Sequence, residues 1–184
     1  MSKGIMLMEI NQPIGSFYIG KINSADLIKI SKVIPRKNNI GTQRELQEMR
    51  VKEIAKYCDD PDATFPTPIV LSIRSEDVES IKETSISGVY ELNYYDNAKI
   101  AEILDGQHRV EGIKAANGFI TEMMVAIMFD LTEEEKAYVF STINSNQKKV
   151  DKSLIYDLFD VSEERSPYKT CHEIARIMNS SEDS

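Results

Sequence analysis

The chain has 184 residues and a net charge of −8, with 22 Lys and Arg against 30 Asp and Glu. Hydrophobic residues make up 41% and charged residues 28%, and only 8 Gly and 6 Pro are present, so collagen-like and low-complexity classes are excluded. No apolar run approaches the roughly 18–20 residues that span a bilayer, and the opening MSKGIMLMEI lacks the apolar length and cleavage site of a secretory signal. The two cysteines, Cys58 and Cys171, and the two histidines, His108 and His172, form no familiar metal-ligand spacing. A cytoplasmic protein with reduced thiols and no membrane partner is the expectation. An acidic balance disfavours non-specific wrapping of DNA, which needs clustered cations, but leaves room for a local cationic site.

In chain order, Gly15 to Ile22 alternates as a strand, and Ser24 is placed to cap a short helix through Leu27, Ile28 and Ile30. Pro35 to Gly41 is a polar connection. Thr42 with Glu45 forms a capping box that opens a helix over Gln43 to Tyr57, which Pro61 and Asp62 stop. Ile69 to Ile73 is a buried strand, and the charged stretch Arg74 to Ser87 reads as a loop or a mobile insertion. Val89 to Tyr94 and Lys99 to Leu104 are two strands separated by a turn at Asp96-Asn97. After Asp105-Gly106, Gln107 to Asn117 reads as a helix with Val110, Ile113 and Ala116 on one side and Gly118 as left-handed cap. Met123 to Phe129 is a central strand, and Thr132 with Glu135 repeats the capping box before a helix through Tyr138, Val139 and Ile143. From Asp151 onward the pattern is helical. The order predicts an α+β fold: a small mixed sheet flanked by helices in a domain over 1–150, followed by a helical C-terminal segment over 151–184.

The stretch that carries chemistry is Asp105-Gly106-Gln107-His108-Arg109. A strand running through a glycine turn into a helix presents unpaired backbone N–H groups at the positive end of a helix dipole, a setting suited to phosphate. Gly106 allows close approach of the backbone, and Arg109 offers a planar fork for phosphate oxygens. His108 titrates near neutrality and can donate to a phosphate or carry a proton. Asp105 sits awkwardly beside an anion unless it holds Mg²⁺ or caps the helix. As an N-cap, Asp105 would need no ligand at all, and His108 and Arg109 would then be solvated.

Those five residues spell the motif of the DGQHR-domain proteins, which this chain resembles. Phe140-x-x-Ile143-Asn144-x-x-Gln147-x-x-Val150 is similar to a second element of that family, and Gln43-Arg44 to the pair that opens its early helix. The family includes DndB, a regulator of bacterial DNA phosphorothioation gene clusters, and proteins of phage-defence and DNA-modification operons. Its DGQHR segment resembles the phosphate-binding segment of the ParB/sulfiredoxin superfamily, where a G-x-x-R element binds a nucleotide triphosphate. The resemblance therefore implies a ParB/sulfiredoxin-like fold. Sulfiredoxin has a cysteine where this chain has Gln107, so thiol-based reduction of a sulfinic acid is not available at that position. Larger family members continue further, so the chain is read either as a natural short member or as a fragment in which residues 151–184 begin a longer second part.

The resemblance implies a nucleotide-triphosphate-binding module, with weak NTPase activity as its enzymatic extension and Mg²⁺ accompanying the nucleotide. Gly106, Gln107 and Arg109 would hold phosphates, with Gln43 and Arg44 alongside. Asn144, Asn146 and Gln147 offer amides for base or ribose, and His108 and Asp105 take the catalytic roles. Asp105 and Glu111 are the nearest carboxylates for a metal or water, and Arg44 could pair with Asp105 instead of a phosphate. Lys148, Lys149 and Lys152 form the densest cationic cluster, suited to DNA or to a solvated face. Tyr90, Tyr94 and Tyr95 suit base stacking or, more simply, a half-buried strand face. The alternative function is a transcriptional regulator that binds operator DNA without catalysis, for which an oligomer would have to gather the lysines. No metal–carboxylate cluster supports a nuclease.

Overall fold

A computed structural model describes residues 2–33, 46–96, 98–116 and 118–145 of the chain. Eight strands form one mixed sheet: β1 (Ser2–Gln12), β2 (Gly15–Asn23), β3 (Ser31–Lys32), β4 (Ile69–Ile73), β5 (Ser80–Glu83), β6 (Val89–Tyr95), β7 (Ala101–Asp105) and β8 (Glu122–Phe129). Among the described residues four α-helices accompany them: α1 (Ser24–Ile30), α2 (Glu48–Tyr57), α3 (Gln107–Ala115) and α4 (Glu133–Ser145). The sheet order is β3-β7-β4-β8-β2-β1-β6-β5; β3–β7 and β4–β8 are parallel and every other pair is antiparallel. This is the expected α+β architecture. The predicted segment over 151–184 lies outside the described residues.

β1 escapes a sequence reading because apolar residues fall on both of its faces. Leu7 is buried while its neighbours Met6 and Met8 are exposed, so no polar alternation marks the period of two. The stretch read as one loop after Ile73 holds a 3-10 turn (Ser75–Asp77) and β5. Arg74 forks onto Asp77 through Nε and Nη2 at 3.0 and 3.1 Å, which fixes that turn. The cap of α1 is Asn23, whose side chain accepts from the Ala25 amide at 2.9 Å, and not Ser24. Ser24 is buried one residue further on, where its hydroxyl accepts from the Thr121 amide. Leu46 and Gln47 are not helical and α2 begins at Glu48, so the predicted helix starts later than Thr42, which lies outside the described residues. The Thr132 capping box forms in full: Glu135 Oε2 accepts from the Thr132 amide at 2.8 Å, and Thr132 Oγ1 from the Glu135 amide at 3.2 Å.

The core gathers Leu7, Ile22, Leu27, Ile69, Leu71 and Ile103 with Val110 and Ile113 of α3. Tyr94 is buried in it, and its hydroxyl is pushed up to about 12 by burial, then by Asp26 and Asp96. Tyr90 packs edge-on to Tyr18 at 5.2 Å, so two of the three tyrosines considered for stacking serve the sheet, while Tyr95 is exposed. Alternation along β7 sends Ala101 and Ile103 into this core and Glu102 and Leu104 to the opposite face, where Lys136 of α4 meets Glu102. The two faces of one strand thus serve two sites.

Candidate functional site

β7 ends at Asp105, and the chain turns through Gly106 into α3. Gly106 is the helix N-cap and adopts φ +95°, a left-handed conformation that costs a residue with a Cβ roughly 1–2 kcal/mol. Space forbids a side chain as well: a Cβ there would lie 2.5 Å from Ile69 Cδ1 and 3.0 Å from Arg109 Nη2. The expectation that Asp105 caps α3 is corrected by this geometry. Asp105 stands one residue too early, and the cap residue, Gly106, has no side chain with which to make a cap bond.

Asp105 turns to Arg109 instead, accepting from Nη2 at 3.0 Å across one helical turn. The same Nη2 donates to the Pro68 carbonyl at 3.0 Å, while Nη1 donates to the Thr67 carbonyl at 2.6 Å and to Thr67 Oγ1 at 2.7 Å. All four terminal N–H bonds of the guanidinium are therefore spent on the chain itself, and only Nε–H lies outside this set. Arg109 is mostly buried, and desolvation lowers its pKa against the pull of Asp105. The fork ties the entry of β4 to the exit of β7, which locks the turn that presents the α3 amides.

His108 serves a different neighbour. Its Nε2 accepts from the Gln47 amide at 3.2 Å, joining the start of α2 to the first turn of α3. An acceptor nitrogen requires the neutral ring with its proton on Nδ1. Burial, reinforced by the charge of Arg50 and opposed by Asp105, lowers the His108 pKa and favours that form. Beyond this contact α2 and α3 pack closely because Gly112 has no side chain: a Cβ would fall 2.4 Å from Ile54 Cγ2. Gln107 is buried at 5% exposure on α3, and Glu111 pairs with Lys114 at 3.0 Å, away from a metal role.

The structure thus brings Asp105, Gly106, Gln107, His108 and Arg109 together at one turn. Gln43, Arg44, Gln147, Lys148, Lys149 and Lys152 lie outside the described residues, as do Asn146 and the side chain of Asn144. A residue missed by sequence reading stands beside the turn. Arg50, exposed in the first turn of α2, weighs electrostatically on both His108 and Arg109, and has no ion pair among the described residues. Nothing in its local sequence distinguishes it from an ordinary surface arginine. Its position depends on α2 docking on α3. Among the described residues no group of three or more His, Cys, Asp or Glu is placed to hold a metal, and no helix is long and apolar enough to cross a membrane.

The fold and turn define a class: a mixed-sheet α+β protein in which β7, next to the edge of the sheet, runs through a left-handed glycine into a helix. The family model described as "DndB: DNA-sulfur modification-associated" matches residues 7–177, and the chain belongs to that family. Among solved structures it is similar to the C-terminally truncated chromosome-partitioning protein ParB from Caulobacter crescentus complexed with CTP-gamma-S. That likeness has 14% identity and a TM-score of 0.49, over 83% of this chain and 69% of the other. A search of curated proteins finds no match.

Proposed function

We propose that this chain is a nucleotide-triphosphate-binding module acting in DNA-sulfur modification, with the phosphates held at the Asp105–Arg109 turn. The observation that carries the reading is the α3 N-terminus: a left-handed glycine cap without a side-chain cap bond, with the Arg50 guanidinium nearby and exposed. Backbone N–H groups there would take phosphate oxygens, and Arg50 would supply the mobile charge. Arg109 becomes a positioning residue, since its terminal donors hold Thr67, Pro68 and Asp105. His108, neutral and oriented by Gln47, would serve as a hydrogen-bond donor through Nδ1 rather than as a cation. Asp105 gives one oxygen to Arg109, so Mg²⁺ would be carried mainly by the nucleotide's own phosphates and water. Hydrolysis would require a positioned water beyond these groups.

Thermal melts with CTP, ATP and GTP plus Mg²⁺ test the reading. A ligand present at 100 times its dissociation constant adds about 2.7 kcal/mol to the folded state. Arg50→Ala should weaken the effective nucleotide about tenfold, equivalent to about 1.4 kcal/mol, without lowering the melt of the free protein. If none of the three nucleotides shifts the melt, the proposal fails. A regulator that binds operator DNA without catalysis remains the second reading, supported by family membership. It would show a steep loss of DNA affinity with salt that Arg50→Ala leaves intact.

A further inference from the structure

On the opposite face of the sheet from the Asp105 turn lies a cavity of about 240 Å³ between β3, β4, β7 and α4. Three cations, Lys32, Arg74 and Lys136, line it with three carboxylates, Asp77, Glu102 and Glu133. Glu102 is buried at 4% exposure. Its Oε2 accepts from Lys136 Nζ at 2.8 Å, and Lys136 is held in turn by Glu133 at 2.7 Å. The other oxygen, Oε1, is buried with no hydrogen-bond partner among the described residues. Such an atom costs free energy unless something donates to it. Lys32 on the rim has no ion pair among the described residues either. One group of each sign is therefore uncommitted in the same cavity.

We propose that this cavity binds a free α-amino acid, with its carboxylate on Lys32 and its ammonium on Glu102, while Arg74 stays paired with Asp77 and Glu76 on the wall. Size and charge both select this class. Pockets for drug-sized ligands run to roughly 300–1,000 Å³, so a nucleotide triphosphate is too large and an amino acid is of the right order. A ligand with net charge of either sign would face three groups of its own sign, whereas a zwitterion meets partners at both ends. Ser72, paired in register with Glu102 across β4 and β7, places a hydroxyl on the same wall. The clamp by Lys136 orients the Glu102 carboxylate in advance, which lowers the ordering cost of binding. Lys136 keeps its charge in this setting: burial opposes it, but its hydrogen bonds to Glu102 and Glu133 and their negative charges outweigh that and raise its pKa.

Calorimetric titration of the full chain with each proteinogenic L-amino acid, its carboxamide and its N-acetyl derivative tests the proposal. At least one amino acid is expected to bind, and blocking either end should weaken it about tenfold or more, the scale of a lost charge-assisted hydrogen bond. Lys32→Ala, at the partly exposed rim, should weaken the same ligand about tenfold without moving the melt of the free protein. Glu102→Gln, which keeps the shape and an acceptor for Lys136, should do likewise; if it does not fold, Lys32→Ala decides. Absence of binding by every amino acid, equal binding of the blocked derivatives, or an unchanged affinity in Lys32→Ala would each overturn it. The nucleotide melts bear on the other face of the sheet, so failure of either proposal leaves the other standing.

Discussion

Asp105 and Glu102 lie three residues apart on β7, each paired with a helix cation, yet the two pairs are built differently. At Asp105 the partner is an arginine, whose planar fork reaches two backbone carbonyls and a hydroxyl besides the carboxylate. At Glu102 the partner is a lysine, a point charge shared between two carboxylates, and one buried oxygen stays unmatched. The fork consumes its own donors and becomes a strap. The ammonium leaves one Glu102 oxygen without a donor among the described residues, and the proposed amino-acid site rests on that oxygen. At the Asp105–Arg109 turn the motif arginine is thus committed to the chain, and the cation that the proposed function gives to a phosphate is the exposed Arg50.

The sharpest way to break this contrast is to remove the lysine. Lys136→Met should cost about 3 kcal/mol in urea unfolding, because it strands a buried carboxylate, while the double change Glu102→Leu with Lys136→Met should recover most of the loss. A cost for the single change below about 1 kcal/mol would mean the pair is not effectively buried. Next in size is Gly106→Ala, expected to cost about 2 kcal/mol from left-handed backbone and crowding against Ile69. Gly118→Ala makes the control: it shares the positive φ but would meet nothing within 4 Å, so about 1 kcal/mol is expected. Equal costs at the two glycines would remove the close packing at the turn from the account.

The smallest effect concerns His108, whose lowered pKa means that the unfolded chain binds its proton more readily than the folded one. Stability should therefore be full above the ordinary value of 6.5 and decline as the pH falls below it, as protonation of Nε2 breaks the bond from Gln47. His108→Gln should flatten that decline and cost about 1 kcal/mol at alkaline pH. A decline that persists in the variant would assign the pH dependence elsewhere.

Much of the fold was legible where local chemistry and burial agree. β4 and β8 are apolar runs between turn signals, and the Thr132 capping box closes as written. β1 was hidden because Met6 and Met8 are exposed beside buried Leu7, and β5 because its four residues are polar or only partly buried. At the site, the strand–glycine–helix turn was readable from Asp105-Gly106. The role of Asp105 was not, since an N-cap and an arginine partner differ by one residue of helix register. Gly112 carried no signal at all, because its purpose is the Ile54 side chain of another helix.

The sequence alone determined the α+β class, the motif and the glycine at its turn, because backbone conformation and hydrophobic pattern are local properties. Tertiary structure decided which cation is committed and which is exposed, and on which face of β7 each carboxylate acts. Those outcomes depend on residues far apart in the chain, Thr67 with Arg109, Gln47 with His108 and Glu102 with Lys136, meeting at hydrogen-bond distance. No local pattern encodes such a distance.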